Sequence, residues 1–292
     1  MVTQATRYRL DPALAVLCRP DGAAQIGWDP RRAVLVRTET QLRSAALVSV
    51  LRHLQGGASV ADLRNHLRNH VQSTVDDGLD STIDDLVGEL VAAGIVTPEP
   101  TPTPSAQRKT RSAGIRIHGP GPLAQLLRDG LSHSGARVTC TSSAGIVVDR
   151  TQTDLVVLTD HQVVDPRLAR ELTRDRIAHL PVRVRDGRGL VGPLVIPGMT
   201  SCLNCADLHR ADRDPAWPAL AAQLRDRIGL ADRSTLLATS ALALRQVDAV
   251  IEAVAGGPRP PKPAALATTL EVDVAAGSIL SRRWRRHPAC SC

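Results

Sequence analysis

Two closely spaced cysteine pairs constrain the fold of this 292-residue chain more than any other feature. The first pair, Cys202 and Cys205, lies in the sequence Cys-Leu-Asn-Cys, and the second, Cys290 and Cys292, lies in the last residues of the sequence. Two such pairs can supply the four thiolates of a tetrahedral zinc site, with zinc–sulfur bonds of ~2.3 Å. We therefore predict a structural zinc ion that clips the C-terminal residues onto the middle of the domain.

Two other uses of these cysteines stay open at this point, a redox-active pair and disulfide bonds. A redox Cys-x-x-Cys pair normally opens a helix in a thioredoxin-like fold, and it would leave the second pair without a role. A closed four-sulfur site has no open coordination position, so we assign the predicted zinc no catalytic role. The other two cysteines, Cys18 and Cys140, lie in apolar strand-like segments and are predicted to be buried thiols.

Length and composition indicate a globular chain of one to two domains. Hydrophobic residues make up 43% of the sequence but aromatic residues only 1%, so we expect a core of Ala, Val, Leu and Ile. The N-terminus has no signal-peptide pattern, and no run of ~18 apolar residues occurs. With six cysteines and no export signal, we expect a cytoplasmic protein without a membrane span.

Residues 1–98 are predicted to form a small winged-helix-like α+β module. The predicted elements are a hairpin around Asp21-Gly22, a strand over residues 33–36, and helices over residues 41–54, 60–67 and 81–93. Ser59 is predicted to cap the second helix and Ser81 the third. A proline-rich linker follows over residues 99–113, with proline at alternate positions between residues 98 and 104. The second domain covers residues 114–292, and it is predicted to contain a helix over residues 166–179 and a strand over residues 190–196.

A winged helix is often a DNA-binding module, but the charges of this one argue against that function. The helix that would read the groove and the segment before it are rich in acids, namely Asp76, Asp77, Asp80, Asp84, Asp85 and Glu89. DNA affinity comes largely from neutralising phosphates with Arg and Lys. We therefore favour a module that binds an extended peptide, which adds a strand to the edge of the sheet at Ala33–Arg37, beside the helix over residues 81–93.

The second domain begins with the strand–glycine turn–helix–strand plan of a Rossmann-type α/β unit. Gly119, Gly121 and Ala124 fit the pattern G-x-G-x-x-A, which holds a nucleotide phosphate on backbone N–H groups. Pro120 and Pro122 lack such N–H groups. The acidic residue that would bind a ribose about 20 positions later is missing. We therefore interpret the turn as retained architecture rather than a working nucleotide site.

From Gly114 to Cys292 the order of motifs resembles the ThiF/MoeB superfamily, the ubiquitin-activating-like adenylating fold. The matching features are the glycine turn, the strand Asp-Leu-Val-Val-Leu-Thr-Asp, the sequence GPLVIPGMTSCLNC, a long helix of small residues, and the terminal HPACSC. In that family two cysteine pairs hold structural zinc. The second pair is usually Cys-x-x-Cys, whereas here it is Cys-x-Cys.

The N-terminal module resembles the PqqD-like element that recognises leader peptides of ribosomally made peptides. The fused pair resembles the leader-peptide-binding partners of azoline-forming cyclodehydratases. This resemblance implies a peptide ligand, a separate modifying enzyme as partner, and a homodimer.

Few residues of this sequence match those that bind ATP and Mg²⁺ in the family. Asp160 matches the aspartate that binds Mg²⁺ in the family, and it is the one candidate for a catalytic residue. The phosphate-binding lysine has no counterpart, because Lys109 lies in the linker and Lys262 in a proline-rich loop. We expect a non-catalytic peptide-binding protein that does not use ATP or Mg²⁺. The alternatives are an ATP-dependent adenylating enzyme with a rearranged site and a DNA-binding regulator.

Overall fold

The structure, a computed structural model, describes residues 6–37, 44–70, 79–99, 111–142, 148–256 and 260–292. The chain divides into two compact units, residues 1–107 and residues 108–292, and each is described by itself. Most of the linker predicted over residues 99–113 lies outside the described residues, and so does Lys109.

The first unit packs three helices against two small antiparallel sheets. Its elements are β1 (Arg7–Leu10), β2 (Val16–Cys18), β3 (Ala24–Ile26), β4 (Val34–Val36), α1 (Ser44–Gln55), β5 (Ala58–Ser59), α2 (Val60–His70), α3 (Leu79–Ala92) and β6 (Val96–Pro98). One sheet has the strand order β5-β1-β6 and the other β2-β3-β4. A single apolar cluster joins the buried residues of both sheets and of the helices.

Three expectations for this unit need correction. Strands β1 and β5 were not predicted, because four residues and two residues are too short to show a clear period of two. Helix α3 begins at Leu79, so Ser81 lies within its first turn rather than at the N-cap position. Cys18 is exposed rather than buried, since it ends a strand at the edge of its sheet.

The second unit is a seven-stranded mixed sheet with helices on both faces. Its elements are β7 (Gly114–His118), α4 (Pro122–Gly130), β8 (Arg137–Thr141), β9 (Leu155–Thr159), α5 (Pro166–Arg174), β10 (Ala178–Arg185), β11 (Arg188–Val191), α6 (Leu203–Ala211), α7 (Trp217–Leu224), α8 (Arg233–Val254), β12 (Thr268–Asp273) and β13 (Ser278–Arg283). The strand order is β13-β12-β11-β10-β9-β7-β8. The strands from β8 to β10 run parallel, and the other three pair antiparallel.

Strand β9 lies near the centre of this sheet and separates two apolar layers. All five of its residues are buried, as expected for a parallel strand that is covered on both faces. Leu155 and Val157 pack in the layer of α4 and α8. Val156 and Leu158 pack in the layer of α5 and of the two cysteines in the middle of the chain.

Two element boundaries in the second unit differ from the sequence-based prediction. The helix expected over residues 166–179 ends at Arg174 because Arg176 adopts a left-handed conformation with φ of 55°. The Ile177 N–H bonds to the Leu172 carbonyl, which closes a Schellman motif. The strand expected over residues 190–196 ends at Val191, where Gly192 has a φ of 96°.

Cys140 is exposed rather than buried, because it lies on β8 at the edge of the sheet. Among the helices that the structure describes, none has the length and apolar character needed to cross a bilayer.

Candidate functional sites

The four cysteines predicted to bind zinc lie together in one cluster. The Cys202 Sγ is 3.8 Å from the Cys205 Sγ and 3.6 Å from the Cys290 Sγ, and the Cys205 Sγ is 3.4 Å from the Cys292 Sγ. All four sulfurs lie within 4.8 Å of one another. Sulfurs placed tetrahedrally at ~2.3 Å from a zinc ion are about 3.8 Å apart, so the cluster has the dimensions of a four-thiolate zinc site.

Helix α6 positions the first pair of ligands. Cys202 is its N-cap residue and Cys205 lies in its first turn, so the partial positive charge of the helix N-terminus favours the thiolate forms. This pair does open a helix, the feature that the redox interpretation requires. The second pair nevertheless stands within metal-ligand distance, and all four sulfurs are free, so the donor set fits a soft divalent metal better than a redox pair.

Three of the thiols, those of Cys202, Cys205 and Cys290, differ in how readily they ionise. Burial raises the pKa of Cys202 and of Cys205 above the usual range. Burial also opposes ionisation of Cys290, but hydrogen bonds from Asn204 and the neighbouring groups outweigh it and bring its pKa down to about 7. Cys290 therefore becomes a thiolate at lower pH than Cys202 and Cys205, and a bound cation would stabilise the thiolate forms of those two buried residues.

Further contacts fasten the C-terminal segment around the cluster. The His287 Nε2 lies 2.8 Å from the Asp212 carboxylate, and the His209 Nε2 lies 3.2 Å from the Arg285 carbonyl. The Ser201 hydroxyl donates to the Trp284 carbonyl. His209, Asp212 and His287 are themselves close enough to share a metal, but these hydrogen bonds already give both histidines a structural role.

The predicted nucleotide residues form a second site, in which Asp160 occupies the glycine turn. The Asp160 carboxylate accepts hydrogen bonds from the backbone N–H groups of Gly121 at 3.0 Å, Leu123 at 2.9 Å and Ala124 at 3.3 Å. The Thr159 hydroxyl donates a fourth at 2.8 Å. The N–H groups that would hold a phosphate at the start of α4 are therefore bonded to a carboxylate of the same chain.

Close packing against Thr159 and Asp160 also explains why two positions of the turn are glycine. A Cβ at Gly119 would lie 2.0 Å from the Thr159 hydroxyl, and a Cβ at Gly121 would lie 2.7 Å from the Asp160 carboxylate. Asp160 is 1% exposed and has a φ of 72°, a conformation that non-glycine residues rarely adopt. Sequence reasoning placed Asp160 near this turn but did not identify its bonds to it. Lys262 is exposed and lies outside this site.

A third candidate site is the free edge of the β2-β3-β4 sheet in the first unit. Gly27 N–H bonds to the Ala15 carbonyl and Arg19 N–H to the Ala23 carbonyl, so the alternation of an antiparallel ladder directs the backbone of Leu35 on β4 away from β3. Among the described residues, no partner pairs with this edge of β4. The side chain of Leu35 is 49% exposed.

The opposite edge of the same sheet is covered. On β2, the carbonyl of Val16 accepts a hydrogen bond from Arg52, and the carbonyl of Leu14 accepts one from Gln55, both from α1. A groove of about 560 Å³ lies at one end of this sheet, and its lining includes Leu14, Ile26 and Val34 together with the turn after α3. The unit thus protects one sheet edge and leaves the other open, which is the arrangement needed to accept an added strand.

Comparison with known proteins shows the fold of the whole chain. Neither a protein-family model nor a curated protein matches the sequence. The structure of the heterocyclase TruD matches 98% of this chain with a TM-score of 0.66 and 16% identity. This chain spans only 42% of the TruD chain. MccB from E. coli, solved with ATP, matches 98% of this chain and 99% of its own with a TM-score of 0.59 and 11% identity.

A further MccB structure is described as the Microcin C7 biosynthetic enzyme in complex with N-formylated MccA, and it matches with a TM-score of 0.58 and 11% identity. At these identities the likeness concerns the fold. The chain therefore shares a mixed α/β fold with TruD and with MccB.

Proposed function

We propose that this chain is a zinc-stabilised, non-catalytic protein that binds the leader segment of a ribosomally made precursor peptide and presents it to a separate modifying enzyme. The observation that carries the proposal is the open edge of β4, together with the groove at one end of its sheet. The shared fold supports it, because TruD is a heterocyclase and MccB has been solved with MccA. We further propose that the protein acts in the cytoplasm as a homodimer.

In this proposal the peptide adds a fourth strand to the sheet. The N–H and C=O groups of Leu35 pair with the peptide backbone, which gives affinity without regard to sequence. The exposed side chains of Val34 and Leu35 and the wall of the groove then select apolar side chains at alternate positions of the peptide. In this proposal the first unit has the function of a PqqD-like recognition element.

The bonds of Asp160 are the reason to prefer binding over ATP-dependent adenylation. A carboxylate that already accepts four hydrogen bonds at 1% exposure must leave the turn before either Mg²⁺ or a phosphate can enter. The rival function predicts that ATP raises the melting temperature and that Asp160→Ala abolishes this effect. Our proposal predicts no ATP-dependent stabilisation of the wild-type protein.

Acidic residues also disfavour the DNA-binding alternative. Asp85 and Glu89 are exposed on α3, and Asp84 pairs with Arg64 from α2 at 2.6 Å. Placing this face against phosphates is repulsive. Salt-dependent binding of duplex DNA by the full chain would favour the DNA-binding function instead.

The proposal can be tested with one substitution on each edge of the sheet. Leu35→Pro removes the N–H that would donate to the peptide, whereas Cys18→Pro removes an N–H at the covered edge. We expect the wild-type protein and Cys18→Pro to bind the precursor peptide encoded beside this gene equally well in a fluorescence-anisotropy titration. Leu35→Pro should bind about fivefold more weakly, since one backbone hydrogen bond contributes ~1 kcal/mol. Absence of binding by the wild-type protein at high micromolar concentration would contradict the proposal.

A further inference from the structure

A cavity of about 510 Å³ lies in the second unit, away from the glycine turn and on the face of the sheet that carries the cysteine cluster. Its wall is built from β10, α5, α6 and α7 together with the C-terminal cysteines. Clefts of this volume, with apolar walls and a few convergent polar groups, are typical of small-molecule sites.

Apart from the cysteine ligands, the charged side chains of the wall are strongly unbalanced. Five arginines line the cavity, at positions 170, 174, 183, 185 and 210, and Asp207 is the single acid among the lining residues that the structure describes. Three of the five are each bonded to a carboxylate: Arg174 to Asp175, Arg185 to Glu271 and Arg210 to Asp207.

Arg183 differs from those three arginines. It is partly buried on β10, and among the described residues no hydrogen bond or ion pair satisfies its guanidinium. Burial, followed by repulsion from Arg210, lowers the pKa of Arg183 to about 10, so it stays charged at neutral pH. An unpaired, partly desolvated cation is costly for folding, and a fold that keeps one beside a cavity gains if an anion binds there.

Arg210 supplies a second, rigidly held guanidinium. Its Cζ lies 5.1 Å from the centre of the Trp217 ring and 4.8 Å from the centre of the Trp284 ring. The Asp207 carboxylate fixes both Arg210, at 2.8 Å, and the Trp217 indole N–H, at 3.2 Å. The Arg210 guanidinium and the Trp217 ring are therefore already in position before a ligand binds, which lowers the entropic cost of binding.

We propose that this cavity binds a small organic anion whose carboxylate or phosphate group pairs with Arg183 and Arg210. The body of the ligand packs against Trp217 and the apolar wall around Val163 and Leu203. The exposed Arg170 attracts the anion at the mouth of the cavity. This site goes beyond the proposed peptide-binding function, which uses the first unit.

The proposal is tested by thermal melting of the full-length, zinc-loaded protein, so that the four thiolates are already committed to the metal. The probes are inorganic phosphate, phenyl phosphate, benzoate and the neutral benzyl alcohol, at constant ionic strength. We expect phenyl phosphate or benzoate to raise the melting temperature by several degrees in a saturable manner, and benzyl alcohol to have no such effect. Comparing phenyl phosphate with benzoate tells which anionic group the site prefers.

Substitutions of Arg183 separate a built site from general salt effects. Arg183→Met should weaken binding of the preferred probe at least tenfold, while the probe-free protein stays as stable as the wild type or becomes more stable, because the unpaired charge is gone. Arg183→Lys should retain part of the binding. The control is Arg128→Met, which removes an exposed arginine on α4 that pairs with Asp129. No saturable stabilisation by any probe, or equal stabilisation of the wild-type protein and Arg183→Met, would overturn the proposal.

Discussion

Asp160 holds together the turn between β7 and α4. Its carboxylate provides the negative charge that the N-terminus of a helix attracts, and it fills the space above two glycines. The left-handed backbone of Asp160 carries strain, which four hydrogen bonds to the carboxylate offset. A residue with these bonds stabilises the architecture of a nucleotide turn without requiring a nucleotide.

Replacing this one carboxylate tests its structural role. Asp160→Asn puts an amide among backbone N–H donors that need an acceptor, so we expect the free energy of unfolding to fall by about 2–4 kcal/mol. Chemical denaturation measures the loss. The exposed Asp226 offers a control, and Asp226→Asn should change stability by less than ~0.5 kcal/mol. Equal effects of the two substitutions would show that the turn does not depend on the charge.

His179 is the second residue whose surroundings make a clear prediction. It is fully buried on β10, and its Nε2 has no hydrogen-bond partner among the described residues. Burial lowers its pKa from 6.5 to about 4, although its other ring nitrogen bonds to the Ile177 carbonyl. The unfolded chain therefore binds a proton at higher pH than the folded protein, and stability is lost as the pH falls from 6.5 towards 4.

His179→Leu should remove this part of the pH dependence. Between pH 7 and pH 5.5 we expect the unfolding free energy of the wild-type protein to fall by about 1 kcal/mol more than that of the variant. The exposed His133 provides the control, since His133→Leu should leave the slope unchanged. Parallel slopes for the wild-type protein and His179→Leu would mean that His179 is protonated without cost in the folded protein.

At the level of elements, the cysteine cluster joins the start of α6 to the segment that follows β13. The segment has few apolar contacts of its own apart from Trp284, which is 6% exposed. The other contacts that hold this segment are single hydrogen bonds, such as the one that Arg286 donates to the Gly198 carbonyl. The metal is therefore expected to supply most of the free energy that keeps this segment in place.

Limited proteolysis measures this dependence on the metal. The arginines at positions 282, 283, 285 and 286 are already exposed in the folded protein, so their cleavage depends on whether the backbone around them can unfold into the active site of trypsin. Removing the metal with a chelator should free this backbone, so that the C-terminal peptide is released early in the digestion. In the zinc-loaded protein those sites should resist cleavage. His287→Ala, which breaks the pair with Asp212 but keeps all four cysteines, should remain resistant while zinc is bound. Early release from the zinc-loaded wild-type protein would contradict the proposed clip.

Local sequence signals predicted some helix boundaries and missed others. Ser59 begins α2 as expected, with its hydroxyl 3.1 Å from the Asp62 N–H and the Asp62 carboxylate 2.9 Å from the Ser59 N–H. The end of α5 was missed because Arg176, rather than a glycine, adopts the left-handed conformation there. An arginine in the sequence does not predict a left-handed backbone conformation, whereas a glycine would.

At the scale of the whole molecule, the sequence predicts a site when its residues lie close along the chain or share one distinctive chemistry. The four cysteines could be grouped because few residue types bind zinc and their spacing is short. The contact of Asp160 with Gly121, and the convergence of Arg183 with Arg210, join residues 27 or more positions apart on different elements. Such sites depend on the topology of the sheet, and common residue types such as Arg and Asp carry no signal of their own.

Hydrogen–deuterium exchange over the whole chain, with and without the precursor peptide, tests the central claim that the edge of β4 captures a peptide. We predict slower exchange at the Leu35 amide and little change on β2 or in the second unit. Protection confined to the second unit, or no protection at β4 under saturating peptide, would contradict the account.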